Sequence, residues 1–201
     1  MTPENFKVII ITPEKYITGE AGLINALFEA GLQVLHIRKP SYHMEGARNL
    51  INSISKDFHS RIVLHSHYEL LGDFNLKGAH LPEKIRTGVN ITGIKKVVSS
   101  SFHRVEDIIK EKMNFEYVFF SPVFQSISKE GHGPSSRVQK MKDYLKSGKK
   151  DFHFPVVALG GITDKNLPEA REIGFGGVAC LGYIWENPDP VDQFKNLLKI
   201  V

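Results

Sequence analysis

Phe154-Pro-Val-Val-Ala-Leu-Gly-Gly-Ile-Thr163 and Gly174-Phe-Gly-Gly-Val-Ala-Cys-Leu-Gly182 decide the fold. Each pairs a short apolar run with glycines, and a helical stretch lies between them. An apolar run without polar alternation suits a strand buried on both faces, as in a parallel sheet. A glycine pair lets the chain turn tightly and brings backbone N–H groups close to a ligand. In a (β/α)8 barrel a phosphate commonly sits between the loops after the seventh and eighth strands. The order strand, Gly-Gly, helix, strand, Gly, helix fits that site.

Working outward, the same alternation recurs along the chain. Strands are expected at Lys7–Thr12, Gln33–Arg38, Arg61–His65, Gly78–Leu81, Lys95–Ser100 and Glu116–Ser121. Helices are expected near Ala21–Ala30, Met44–Asp57, Arg104–Lys112, Ser136–Lys146 and Asp189–Val201. Alternating strands and helices predict a parallel sheet, here an α/β fold of one (β/α)8 barrel with short loops. No linker or low-complexity tract interrupts it, so residues 1–201 read as one domain. Residues 122–134 form a Gly-, Ser- and Pro-rich loop long enough to serve as a lid.

Composition bounds the function. Hydrophobic residues make up 41% and charged residues 24% of 201, as in ordinary soluble domains, and the net charge of +4 is mild. No basic cluster with interleaved aromatics argues for nucleic acid. No apolar run has membrane-spanning length and no signal peptide is evident, so a cytoplasmic protein is expected. The single cysteine, Cys180, lies in an apolar strand and reads as core filler rather than a nucleophile.

Polar residues gather at the strand C-termini, the face that carries chemistry in such barrels. They are His36 and Arg38, His65 and Ser66, His80, Ser101 and His103, and Ser121, with Lys129 in the following loop. Arg38, with Lys39 beside it, and Lys129 suit a phosphate or diphosphate, Arg by its bidentate fork and Lys as a point charge. His36, His65, His67 and His80 also raise a transition-metal site, with His65 and His67 spaced for one strand face. Only Glu69 and Glu83 are at hand as carboxylate partners, so no metal ligand is assigned.

In this set Pro155-Val-Val-Ala-Leu-Gly-Gly-Ile162, Tyr117-Val-Phe-Phe-Ser-Pro-Val-Phe124, Ser101-Phe-His103 with Glu106, and Gly177-Val-Ala179 stand in order. Together they resemble the thiamine phosphate synthase/TenI family over nearly the whole chain. The resemblance implies a (β/α)8 barrel that binds a thiazole phosphate or thiamine phosphate. By position, the backbone around Gly160, Gly161, Leu181 and Gly182 would hold the thiazole phosphate. Ser101 matches a hydroxyl that contacts the diphosphate or pyrimidine. Ser126, Ser128 and Lys129 match the family's Thr-x-Thr-Lys, and His36 stands where the synthases have Gln, two residues before the shared Arg38. A small-molecule partner is implied, and a homodimer is left open.

Departures from the pattern shape the expected activity. Pro40 takes the place of the synthases' second basic residue, with Lys39 one place early. The third strand ends in His65-Ser66 instead of Asn-Asp, and His80-Leu-Pro-Glu-Lys-Ile85 replaces a stretch ending in Asp. Both aspartates implied as Mg²⁺ ligands are therefore missing, so Mg²⁺ is expected only if synthase activity is retained. The synthase reaction expels diphosphate and needs its charge neutralised. His80-Leu-Pro-Glu83 looks more like the TenI branch, which includes a thiazole tautomerase. That branch carries a histidine where this chain has Pro122. A TenI-like isomerase is thus preferred, with a synthase and a non-catalytic thiazole or thiamine phosphate binder as alternatives. The acid–base group is expected to be His36, its pKa lowered by Arg38, with His65, His80 and His103 as further candidates.

Overall fold

In the computed structural model, residues 6–88, 93–94, 96–124, 136–149 and 151–201 are described. Eight parallel strands close into a barrel in chain order. They are β1 (Lys7–Ile11), β2 (Val34–Ile37), β3 (Ile62–Leu64), β4 (Gly78–Leu81), β5 (Val97–Phe102), β6 (Tyr117–Phe120), β7 (Val156–Leu159) and β8 (Gly177–Cys180). The helices are α1 (Glu20–Glu29), α2 (Met44–Asn52), α3 (Glu83–Arg86), α4 (Val105–Lys110), α5 (Ser136–Lys146), α6 (Leu167–Ile173), α7 (Gly182–Trp185) and α8 (Pro190–Leu198). Among the described residues no helix is long and apolar enough to cross a membrane.

The uninterrupted apolar runs follow from burial on both faces of each strand. On β1, Ile9 and Ile11 join Val34, Val63, Val98, Phe119, Val157 and Ala179 inside the barrel. Val8 and Ile10 point outward, beneath Leu27, Phe28 and Phe194 of the helices. Closure depends on Gly177, because a Cβ there would lie 2.5 Å from the Lys7 carbonyl oxygen across the β8–β1 seam.

Several expected elements end elsewhere. The long helix after β2 stops at Asn52 and is followed by a 3₁₀ segment, Lys56–Arg61. β5 begins at Val97 and runs on to Phe102, so that both the Ser99 and Ser101 hydroxyls meet His80 of β4. The single-turn helices α3 and α7 and the 3₁₀ turn Tyr68–Gly72 were not expected. Most of the expected lid lies outside the described residues, which resume at Ser136.

Candidate active site at the barrel mouth

The two glycine turns open onto one cavity of about 600 Å³, lined by Gly160, Gly161, Thr163, Leu181, Gly182 and Tyr183. Gly160 and Gly161 have φ of 98° and 64°, in the left-handed region that favours glycine. A Cβ on Gly160 would also lie 3.1 Å from Pro122 Cα and Cβ, so the turn after β7 packs directly on the chain leaving β6. Val123 N donates to Leu159 O at 2.9 Å and Phe124 N to Gly160 O at 3.1 Å, fixing that contact. From the other side, Asn166 Nδ2 donates to Gly161 O and Asn166 Oδ1 accepts from Thr163 N, both at 2.8 Å. The sequence reading missed Asn166; an Asn three residues beyond a Gly-Gly-x-Thr turn is a short-range bridge that could have flagged it. Across the cavity, Gly182 opens α7, a single turn closed by Ile184 N and Trp185 N donating to Leu181 O at 3.1 Å. Cys180 also borders this cavity, but burial pushes its thiol up to about 12, which leaves no nucleophilic thiolate.

The cations after β2 are already matched. Arg38 Nη1 donates to Glu14 Oε1, and the Arg38 N–H donates to Thr12 Oγ1 at 2.9 Å. Lys39 is 1% exposed, with Nζ 2.7 Å from Glu20 Oε1, 2.9 Å from Lys15 O and over the Tyr42 ring. Burial raises the Glu20 pKa against the opposing pull of Lys39.

The histidines divide into two groups. His36 and His80 are buried, and His65 is half-buried above them. His36 Nδ1 meets His65 Nε2 at 2.8 Å, and His36 Nε2 meets Tyr117 Oη at 2.7 Å. His80 has Nδ1 2.8 Å from Ser99 Oγ and Nε2 2.8 Å from Ser101 Oγ, while its ring stacks on His65 with centroids 4.2 Å apart. Burial, then the neighbouring His65 and Lys77, holds the His36 pKa well below its ordinary value. His65 is lowered to about 3, by burial and then by Arg38. Burial, the other two imidazoles and Arg38 lower His80 likewise. The like-charge effect expected from Arg38 on His36 is therefore felt by His65 and His80. His36 points into the barrel while Arg38 turns aside to Glu14, so the two do not face one ligand.

His67 does not share a face with His65. β3 ends at Leu64, His67 has φ of 54°, and its Nε2 donates to Tyr42 O at 2.8 Å. His103 is different again, 40% exposed at the side chain, with Nδ1 2.6 Å from Ser121 O and Nε2 3.7 Å from Glu83 Oε2. Ser101 is engaged with His80. Ser126, Ser128 and Lys129 lie outside the described residues.

Residues 8–184 match the family model described as thiamine monophosphate synthase, TMP-TENI. The chain belongs to this family. A thiamine phosphate pyrophosphorylase from Bacteroides thetaiotaomicron is 33% identical over 97% of both chains, with a TM-score of 0.80. Thiamine-phosphate synthases from Phocaeicola vulgatus and Persephonella marina are 24% and 23% identical, covering 86% and 97% of this chain and the same shares of their own. A thiamine phosphate pyrophosphorylase from Pyrococcus furiosus, 18% identical over 98% of this chain and 96% of its own, shares the fold with a TM-score of 0.76. Membership in this family places the chain among thiamine-biosynthesis enzymes.

Proposed function

We propose that this chain binds a thiazole phosphate at the Gly160-Gly161 and Leu181-Gly182 turns and moves a proton on the thiazole ring, as a TenI-like isomerase. The pairing of Arg38 with Glu14 and of Lys39 with Glu20 carries the reading. Expelling a diphosphate calls for open positive charge at the leaving group. A ring proton transfer needs an anchored phosphate and one well-placed acid–base group. The residues present do not fit a carboxylate-held Mg²⁺ either: Ser66 and Ile85 stand at the positions the resemblance assigns to its ligands, and Ile85 offers only hydrocarbon. No step is routed through that ion.

His103 replaces His36 as the acid–base group in this reading. His36 has no exposed surface and both its ring nitrogens are engaged. His103 Nδ1–H donates to the Ser121 carbonyl, which fixes the tautomer and leaves the Nε2 lone pair to accept a proton. Glu83 is close enough to steady the imidazolium that forms. Ser121 leads into Pro122, which packs on Gly160, so His103 is tied to the phosphate turn through one short segment. His103 also lies beside the sixth-strand position where the TenI branch carries its histidine.

The name of the 33% identical relative favours a second reading, a synthase joining hydroxymethylpyrimidine diphosphate to thiazole phosphate with release of pyrophosphate. Two parallel incubations separate them. One supplies a thiazole carboxylate phosphate isomer and follows aromatisation by ultraviolet absorbance. The other supplies hydroxymethylpyrimidine diphosphate, thiazole phosphate and Mg²⁺ and follows pyrophosphate. Isomerisation without pyrophosphate is expected, with a rate about 10²–10⁴-fold lower in His103→Gln. Robust pyrophosphate release establishes the synthase instead, and tight binding without either turnover establishes a non-catalytic binder.

A further inference from the structure

The barrel interior holds a cluster that the proposed proton transfer does not use. His36, His65 and His80 come from β2, the end of β3 and β4, three neighbouring strands, and their ligand atoms lie within 4.8 Å of one another. We propose that these three imidazoles bind one divalent d-block cation of the Zn²⁺ or Co²⁺ kind, with the fourth position open toward the barrel mouth. This inference does not rest on the thiazole reading.

The surroundings of the cluster are those of oriented metal ligands. Tyr117 Oη lies 2.7 Å from His36 Nε2, and Ser99 Oγ lies 2.8 Å from His80 Nδ1. The Tyr117 and Ser99 hydroxyls also hydrogen-bond one another. With each far ring N–H donating to its hydroxyl, the near nitrogens, His36 Nδ1 and His80 Nε2, carry lone pairs that accept from His65 Nε2 and Ser101 Oγ at 2.8 Å, and a bound cation would displace those two hydrogen bonds. Such outer partners fix tautomer and ring orientation in metal-bound histidines. Burial keeps all three rings neutral, the form that ligates.

The spacing suits the ion. His36 Nδ1 and His65 Nε2 are 2.8 Å apart. Zn–N bonds of about 2.0–2.1 Å in a tetrahedral set place nitrogens roughly 3.3 Å apart, so binding would open that gap slightly and draw in the wider separations of the set, which lie within 4.8 Å. Imidazole nitrogen favours Zn²⁺, Co²⁺ and Ni²⁺ over Mg²⁺ or Ca²⁺, which seek oxygen. Three neutral ligands leave the ion's charge uncompensated, and Arg38 adds to the positive field felt by His65 and His80. The open fourth position, beside half-buried His65 and Ser101, is therefore suited to hydroxide or another anion.

Titration of metal-free protein with Co²⁺ tests the proposal. One equivalent should bind and develop the intense visible absorption of a low-coordinate nitrogen site, displaceable by Zn²⁺. His65→Ala should lose that band, while His153→Ala, at an exposed histidine, should retain it. Tyr117→Phe should lower affinity by about 10–100-fold, as loss of an outer partner does. If the His65 variant fails to fold, zinc-edge X-ray absorption on the wild-type protein counts imidazole ligands directly. Failure to take up Co²⁺, uptake unaffected by His65→Ala, or a zinc spectrum without three imidazoles would show instead a hydrogen-bonded network without a metal.

Discussion

Lys39 sits at the end of β2, where an ammonium would ordinarily reach water, yet it is 1% exposed against Glu20 at 2%. Removing one partner of a buried pair leaves an uncompensated charge, whereas replacing both can be neutral. Lys39→Met should therefore cost about 3–5 kcal/mol in chemical denaturation, with much of the loss recovered when Glu20→Leu is added. Equal loss in the single and double variants would place the cost in packing around Tyr42 instead. Gly161 tests the phosphate turn at the same scale. Its φ of 64° is costly for a β-branched residue, so Gly161→Val should weaken thiazole-phosphate binding by calorimetry. Unchanged affinity in a folded variant would remove that turn from the site.

The turn after β7 acts as one element because Asn166 ties Gly161 O to Thr163 N across it. A net hydrogen bond contributes about 0.5–1.5 kcal/mol, so Asn166→Ala should raise the Kd for thiazole phosphate roughly tenfold, with a smaller change in melting temperature. A melting loss with unchanged Kd would make Asn166 structural only. At this scale the sequence was most legible where burial on both faces imposed an uninterrupted apolar run, as in Val156–Leu159 and Gly177–Cys180. The single turns Glu83–Arg86 and Gly182–Trp185 carry too little periodicity to be read. Side-chain direction failed where strands ended. Strand alternation would put His36 with Arg38 and His65 with His67, but β2 ends at Ile37 and β3 at Leu64. Beyond those points the ladder no longer sets direction, so Arg38 turns to Glu14 and His67 to Tyr42.

The whole barrel encloses three imidazoles whose protonation is opposed by the fold, and this links global stability to pH. In the unfolded chain each titrates near 6.5, whereas His65 titrates at about 3 and His36 and His80 well below their ordinary values in the native state. Between those limits the unfolded chain binds more protons than the native one, so stability rises with pH there and falls on acidification. Above about 6.5 both states are neutral at these sites and the contribution is flat. Each histidine adds a slope approaching roughly 1.4 kcal/mol per pH unit well below its unfolded pKa. Denaturant unfolding of metal-free protein, with chelator present, should therefore show a plateau above pH 6.5 and a steep decline toward pH 4. His80→Asn, which cannot be protonated in this range, should lower the slope by about one proton whatever its effect on stability at the plateau. A slope unchanged by that variant would mean that surface carboxylates, rather than the barrel histidines, set the acid limit of the fold.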